Sequence, residues 1–307
     1  MLAFFQVSSE KVSAIRLVLP QLAQNATIGR QLDSPTDETG QANLNISVRA
    51  TPSARLPTGE HGEQKMLALM GMDPMYFIMV VIPGMLLSGA ASWLVKSRFK
   101  KYSKVPSTRG YTGQMAAQKL LDHAGITDVT VVRVQGFLSD HYNPTNKTLA
   151  LSPPVFDSTS VAAIGVATHE AGHAIQHNIG YYPLKWRSAI VPAAKYGSPV
   201  GMYGMMGGLA LMAGGMAFGK AIFILGAIFF AGLMLFQLVT LPVEFNASAR
   251  AKELVVEAGI VGHQEREGID KVLAAAAMTY VAAFVQTALT LLYFLWRSGL
   301  LGGNNRS

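Results

Sequence analysis

The sequence contains no cysteine, which excludes disulfide bonds and thiolate metal ligands. Charged residues are also scarce: they make up 14% of the 307 residues, half of the chain is hydrophobic, and the mean hydropathy is +0.30. This composition argues against an ordinary soluble protein and indicates a membrane protein. The net charge of +7 does not predict a nucleic-acid partner. Its basic residues neither line a helix face nor alternate with aromatic residues, and many follow an apolar segment, where membrane topology explains them.

Four stretches lack charged residues and are long enough to cross a bilayer. They are residues 74–95, 196–219, 221–243 and 272–296. The sequence therefore predicts an α-helical membrane protein with about four transmembrane helices, since a span needs roughly 20 apolar residues. The second stretch contains glycines spaced four apart, which favours close approach of helices but leaves the oligomeric state open.

The charges that flank these stretches predict their orientation. Residues 96–109 hold six basic residues and no acidic one, whereas residues 60–74 hold three acidic residues and one lysine. Basic loops stay on the cytoplasmic side, so we expect residues 96–195 to form a cytoplasmic domain. Only Lys220 separates the second stretch from the third. The two must therefore form a hairpin, and we expect the cytoplasmic segment 244–271 to lie on the same face as the domain.

The first 65 residues do not fit this organisation. They are polar and irregular, without a long apolar run, and they have no signal peptide with a sustained apolar core. This composition indicates a disordered segment. One hypothesis is that residues 1–65 are a non-native extension and that translation starts near Met66, which leads directly into the first apolar stretch.

We predict that residues 96–195 form a small α+β domain with a helix, a strand, a turn, a second strand and a longer helix. The predicted elements are a helix over 111–126 with Thr112 as N-cap and Gly125 as stop, a strand over 129–136, a turn at Asn143-Pro144, a strand over 148–151, and a helix from Asp157 or Ser158 to about Asn178.

The longer helix carries the sequence "HEAGH", residues 169–173. Residues four apart share one face of a helix, so His169 and His173 can present two imidazoles to one metal ion. Zinc favours imidazole and carboxylate ligands with one position open for water, and the intervening Glu170 can act as the base for that water. This is the H-E-x-x-H pattern of zinc metallopeptidases.

A third protein ligand is needed, and Glu244 is the leading candidate. It ends the third apolar stretch, where an unpaired carboxylate is costly. The predicted hairpin brings it to the face that carries His169 and His173. A carboxylate would complete a His₂Glu zinc site.

Five segments of the sequence carry a resemblance to a known family: YSKV (102–105), DHYNP (140–144), HEAGHAIQ (169–176), PLKWRSAIVP (183–192) and FQLVTLPVEFNASARA (236–251). In these segments the sequence resembles the bacterial membrane-bound neutral zinc metallopeptidases of the YugP type. The resemblance implies a zincin-like domain and a multi-pass enzyme of the bacterial plasma membrane. It also implies that His169 and His173 bind zinc, that Glu170 is catalytic and that Glu244 is the third ligand. By similarity to membrane peptidases with a Glu-x-x-x-Asp element, Ser248 stands where an aspartate is usual.

These observations predict a gluzincin-like zinc endopeptidase acting on peptides or membrane proteins. His141 and Tyr142 are candidate donors to the oxyanion, the strand over 148–151 is a candidate to pair with substrate, and Lys185 and Arg187 are interpreted as interfacial residues. The alternative is a non-catalytic membrane scaffold with a structural or degenerate metal site. An intramembrane protease is disfavoured, because only residues 161–168 precede the motif without charge, too few to span a bilayer.

Overall fold

The computed structural model describes residues 73–136 and 139–301, so the prediction for residues 1–65 lies outside the described part of the chain. The elements in chain order are α1 (Pro74–Tyr102), α2 (Gly113–His123), β1 (Thr130–Arg133), β2 (His141–Asn143), β3 (Thr148–Leu151), α3 (Pro153–Phe156), α4 (Val161–Asn178), α5 (Tyr182–Ala213), α6 (Gly219–Glu257) and α7 (His263–Arg297). Within α1, Phe77–Val81 form a π-helical turn.

Three of the described helices, α1, α6 and α7, are long and apolar enough to cross a membrane. The predicted stretch 196–219 falls on α5, which begins well before it at Tyr182 and ends at Ala213. Because glycine, serine, proline and tyrosine dilute the apolar residues of this stretch, α5 is not one of the three helices that meet the length and hydropathy of a span. The structure thus supports three of the four expected spans by length and composition.

Helices α5 and α6 form the predicted hairpin, joined by residues 214–218 and not by Lys220 alone. Their backbones approach closely at glycine positions. A Cβ added at Gly204 would lie 2.9 Å from the Cα of Gly226, and one at Gly208 would lie 2.4 Å from the backbone nitrogen of Phe223. The glycine spacing predicted close packing, and the packing occurs between helices of the same chain.

The α+β region contains a mixed three-stranded sheet in the order β1-β3-β2. β3 lies in the centre, parallel to β1 and antiparallel to β2. The prediction that residues 148–151 pair with substrate is therefore wrong, since both sides of that strand are occupied. One outer edge of the sheet belongs to β2, which lies next to α4. The turn predicted at Asn143-Pro144 follows this strand, and the strand itself was not predicted.

The helix ends agree with the sequence at α2 and differ at α4. Thr112 caps α2 by accepting the N–H of Met115. Helix α4 ends at Asn178 as predicted, but its N-cap is Ser160, whose hydroxyl accepts the N–H of Ala163. The short helix α3 precedes this cap, so the predicted cap at Asp157 or Ser158 is wrong.

Helix α4 is almost wholly buried and lies against both α6 and α7. Gly165 faces Ile269 of α7, and a Cβ added at Gly172 would lie 2.7 Å from the carbonyl oxygen of Ala247. The core around α4 includes Ile164, Val255 and Leu273. This core shows that α6 and α7 continue past the predicted spans and hold the motif helix between them.

Candidate metal centre

Three side chains from α4 and α6 meet in one cluster. Nε2 of His169 lies 3.3 Å from Oε2 of Glu244, and Nε2 of His173 lies 3.5 Å from the same oxygen. One ligand atom from each of the three residues lies within 4.8 Å of the others. Atoms bound roughly 2.0–2.1 Å from a tetrahedral zinc are about 3.3 Å from one another. The cluster therefore has donors of the right type and close to the right separation for zinc.

The local fold explains why the three residues meet. His169 and His173 lie one turn apart on the same face of α4, and their rings are 4.8 Å apart. Gly172, between them in sequence, lets the α6 backbone approach at Ala247. A larger residue at this position would push α6, and with it Glu244, away from the two imidazoles.

Glu244 is 2% exposed, and a buried carboxylate requires a cation nearby. Arg187 supplies one charge, with its Nη1 3.4 Å from Oε1 of Glu244. Burial lowers the pKa of the His173 imidazole, but the charge and hydrogen bond of Glu244 outweigh burial, so this pKa lies above its usual value. The buried Glu244 carboxylate thus attracts positive charge to this cluster, which fits a metal-binding site.

Each histidine is oriented by a partner on its other ring nitrogen. Nδ1 of His169 lies 3.1 Å from the Ser248 hydroxyl, and Nδ1 of His173 lies 3.0 Å from Oε1 of Gln176. Gln176 is itself fixed, because its amide donates to the carbonyl of Val243 at 2.8 Å. When Nε2 binds a metal, the Nδ1–H of each imidazole can donate to the partner oxygen, which orients the ring.

Glu170 points toward the edge strand and not into the cluster of three. Its Oε2 accepts the backbone N–H of Tyr142 at 3.0 Å. Asp140, just before β2, accepts the N–H of Ser152 at 2.7 Å, which ties the start of β2 to the end of β3. Burial raises the pKa of the Asp140 carboxyl above its usual value, the charge of Glu170 adds to that rise, and the hydrogen bonds from Ser152 oppose it.

The other predicted site residues differ in their placement. His141 is exposed, and its Nδ1 contacts the Ser139 carbonyl at 2.8 Å. The Tyr142 hydroxyl contacts Nδ1 of His177 at 2.9 Å, so Tyr142 reaches Glu170 through its backbone alone.

Sequence reasoning missed several residues of the site. Arg187 contacts Glu244, a contact that its interpretation as an interfacial residue did not include. Tyr280 of α7 lies close enough to the site to feel the charges of Glu244, Arg187 and Glu170. Gln176 stands three residues after His173, a spacing that places both on one helix face and could have identified it. Tyr280 lies in an apolar stretch and offered no such signal.

Comparisons with known proteins agree with this geometry. Residues 77–299 match the family model described as "Putative neutral zinc metallopeptidase". A relative from Bacillus subtilis (strain 168), named "Putative membrane protease YugP", is 45% identical over 222 residues, which are 72% of this chain and 96% of the relative. No solved structure matches the chain. By the extent of these matches, the chain belongs to the family of neutral zinc metallopeptidases.

Proposed function

We propose that the protein is a membrane-anchored zinc endopeptidase, with His169, His173 and Glu244 as zinc ligands and Glu170 as general base. The observation that carries this proposal is the separation of 3.3 and 3.5 Å between the two imidazole nitrogens and one carboxylate oxygen. Zinc, when bound, supplies a Lewis acid for the scissile carbonyl and lowers the pKa of water.

The protein's own residues have distinct roles in this reaction. Glu170 takes the proton of the attacking water and returns it to the leaving amine nitrogen. The N–H of Tyr142 holds the Glu170 carboxylate in place, at 3.0 Å. Arg187 balances the charge of Glu244 and fixes its position. Tyr280, which feels the charges of Glu244 and Glu170, is the donor that we propose for the developing oxyanion.

The edge strand β2 is the proposed platform for substrate. All three residues of β2 pair with β3, with Tyr142 opposite Leu149. Because the Tyr142 N–H is taken by Glu170, a peptide added at the outer edge of β2 would use its other main-chain groups. An extended peptide can add to such an edge through main-chain hydrogen bonds. This arrangement, a sheet edge beside the motif helix, supports a zincin-like domain.

We further propose that α5 is a fourth span and that the site lies at the cytoplasmic face of a bacterial plasma membrane. Close packing of α5 on α6 at Gly204 and Gly208 supports the fourth span, and the basic segment after α1 supports the orientation. Because the chain has no cysteine, single cysteines can report topology. Met216→Cys, in the α5–α6 turn, should react with an impermeant maleimide in intact cells, and Gln118→Cys, on α2, only after lysis.

The activity is tested by Glu170→Gln in detergent-purified protein, with bound zinc and cleavage of unfolded labelled casein as readouts. We expect one zinc per chain in both proteins and at least about a 100-fold loss of cleavage in the variant, since general bases contribute roughly that much or more. Glu253→Gln, an exposed glutamate on α6, is the matched control and should match wild type. Unchanged cleavage by Glu170→Gln would refute the assigned base, and zinc without any cleavage in wild type would favour the scaffold.

A further inference from the structure

An exposed apolar stripe on α6 continues past the metal ligand. Leu235, Leu238 and Phe245 are 46%, 48% and 46% exposed, and their spacing places them on one side of the helix. Phe245 directly follows Glu244 in sequence, and the next charged residues on α6 are the half-buried Arg250 and Lys252. The apolar surface that begins in the span therefore reaches the level of the buried carboxylate.

Helix α5 shows the same relation on a separate element. Tyr182 and Trp186 are 67% and 49% exposed, and their rings lie 5.8 Å apart. Trp186 directly precedes Arg187, which contacts Glu244. Tryptophan and tyrosine concentrate at the boundary between the hydrocarbon and water. The exposed Lys185 beside them can extend its ammonium group to the lipid headgroups.

Helices α5 and α6 both indicate the same depth of the metal cluster in the membrane. Consecutive residues of a helix differ in height by at most about 1.5 Å, so Phe245 and Trp186 mark the levels of Glu244 and Arg187. A position at the centre of the bilayer is excluded by the cost of the exposed lysine. A position well above the bilayer would leave both aromatic side chains in water without a partner. The observations agree on the membrane–water interface.

We infer that the cluster acts at the membrane–water interface and that its substrate is a membrane-anchored polypeptide, cleaved within about ten residues of its own span. The inference rests on the proposed peptidase function. An extended chain advances roughly 3.3 Å per residue, so a site at interface depth meets the segment that has just left the bilayer. Confinement of enzyme and substrate to one membrane also raises their effective concentration.

The test uses the full chain reconstituted in liposomes. One reporter carries a single transmembrane helix followed by a 40-residue unfolded casein segment, on the order of 130 Å when extended, and the other is the same segment without the helix. Mass spectrometry maps the cuts. We expect cuts in the first ten residues or so after the span, and cleavage of the free segment at least about tenfold slower.

The outcomes separate the inference from the function on which it rests. If wild type cuts both reporters equally fast, or cuts the anchored one evenly along its length, while Glu170→Gln cuts neither, the peptidase stands and the interfacial substrate is refuted. If wild type cuts neither reporter, both proposals fail. Cuts confined to the membrane-proximal residues and absent from Glu170→Gln support both.

A second measurement does not depend on activity. The chain has three tryptophans, and replacing Trp93 and Trp296 by phenylalanine leaves Trp186 as the only emitter. In liposomes with brominated lipids, Trp186 should be quenched most by bromine near the headgroup end of the acyl chain, about 15 Å from the bilayer centre. Absence of quenching at any bromine depth would place Trp186 in water and overturn the inference.

Discussion

The metal cluster and the α5–α6 hairpin are both tightly packed, but by different means. At the cluster, buried polar side chains are each held by a named partner: Glu244 by Arg187, and His173 by Gln176. In the hairpin, the close approach involves glycine and backbone, as where Gly204 meets Gly226. Hydrogen bonds fix the orientation of the side chains that make them. A glycine at a helix contact only allows the two backbones to come closer together.

This difference predicts two kinds of failure. Removal of a polar partner at the cluster should impair metal binding while the helices stay packed, because the surrounding core of α4, α6 and α7 is apolar. Addition of a methyl group in the hairpin should lower stability without touching any ligand atom. Four substitutions test the contrast, each with a control of the same residue type or at the same position.

Glu244→Ala should have the largest effect, with complete loss of bound zinc and of peptide cleavage. It removes the carboxylate that both imidazole nitrogens approach, at 3.3 and 3.5 Å, and leaves two histidines, which rarely suffice for zinc. Metal analysis of purified protein measures the loss. Glu253→Ala, on the same helix but exposed, should retain one zinc per chain. Full zinc occupancy in Glu244→Ala would remove this residue from the ligand set.

Gly208→Ala should lower the stability of the hairpin by about 1–3 kcal/mol, the usual cost of overpacking. The new Cβ would lie 2.4 Å from the backbone nitrogen of Phe223, whereas a Cβ at the neighbouring Gly207 meets nothing within 4 Å. Gly207→Ala is therefore the matched control and should be neutral or slightly stabilising, since alanine favours helices. Thermal unfolding in detergent measures both, and equal melting temperatures would contradict the packing described.

The parts that the sequence predicted are those with a periodic or capping signal. His169 and His173 lie on one face of their helix as their spacing predicted, and the strand Thr148–Leu151 is present. Thr112 caps its helix as expected. Glu244 was inferred from topology, because a hairpin returns its end to the starting face. The helix spacing and the cap are local sequence patterns, and the placement of Glu244 needs only the knowledge that α5 and α6 form a hairpin.

The parts that the sequence did not predict depend on packing between distant segments. Tyr280 reaches Glu244 only because α7 lies against α4 and α6, and nothing near Tyr280 in sequence indicates this. Arg187 follows a tryptophan at an apparent membrane boundary, which favours an interfacial role as strongly as a role at the metal. The edge strand β2 is three residues long. This is too short for the alternation of apolar and polar residues that identifies a strand in a sequence.

Gln176→Leu should weaken zinc binding by about 10–100-fold, the usual effect of losing a group that orients a ligand. Nδ1 of His173 lies 3.0 Å from Oε1 of Gln176. Leucine has a similar volume to glutamine but no oxygen to accept a hydrogen bond from this nitrogen. Competition with a chromogenic chelator measures the affinity. Gln118→Leu, on α2, which contributes no residue to the cluster, is the control. If Gln176→Leu unfolds the protein instead, the cluster and its core are not separable as the comparison requires.

The smallest effect is expected at Ser248. The Ser248 hydroxyl lies 3.1 Å from Nδ1 of His169, and a neutral oxygen accepts the imidazole proton more weakly than a carboxylate does. Ser248→Asp should therefore tighten zinc binding by a few-fold, and Ser248→Ala should weaken it by about tenfold at most. Both should melt within a few degrees of wild type, because neither alters the backbone approach at Gly172. The opposite order in chelator competition, with Ser248→Asp binding zinc more weakly than Ser248→Ala, would contradict this prediction. It would mean that repulsion between the new carboxylate and Glu244 outweighs the stronger hydrogen bond. Zinc affinity would then be limited by the negative charge of the cluster and not by the orientation of its histidines.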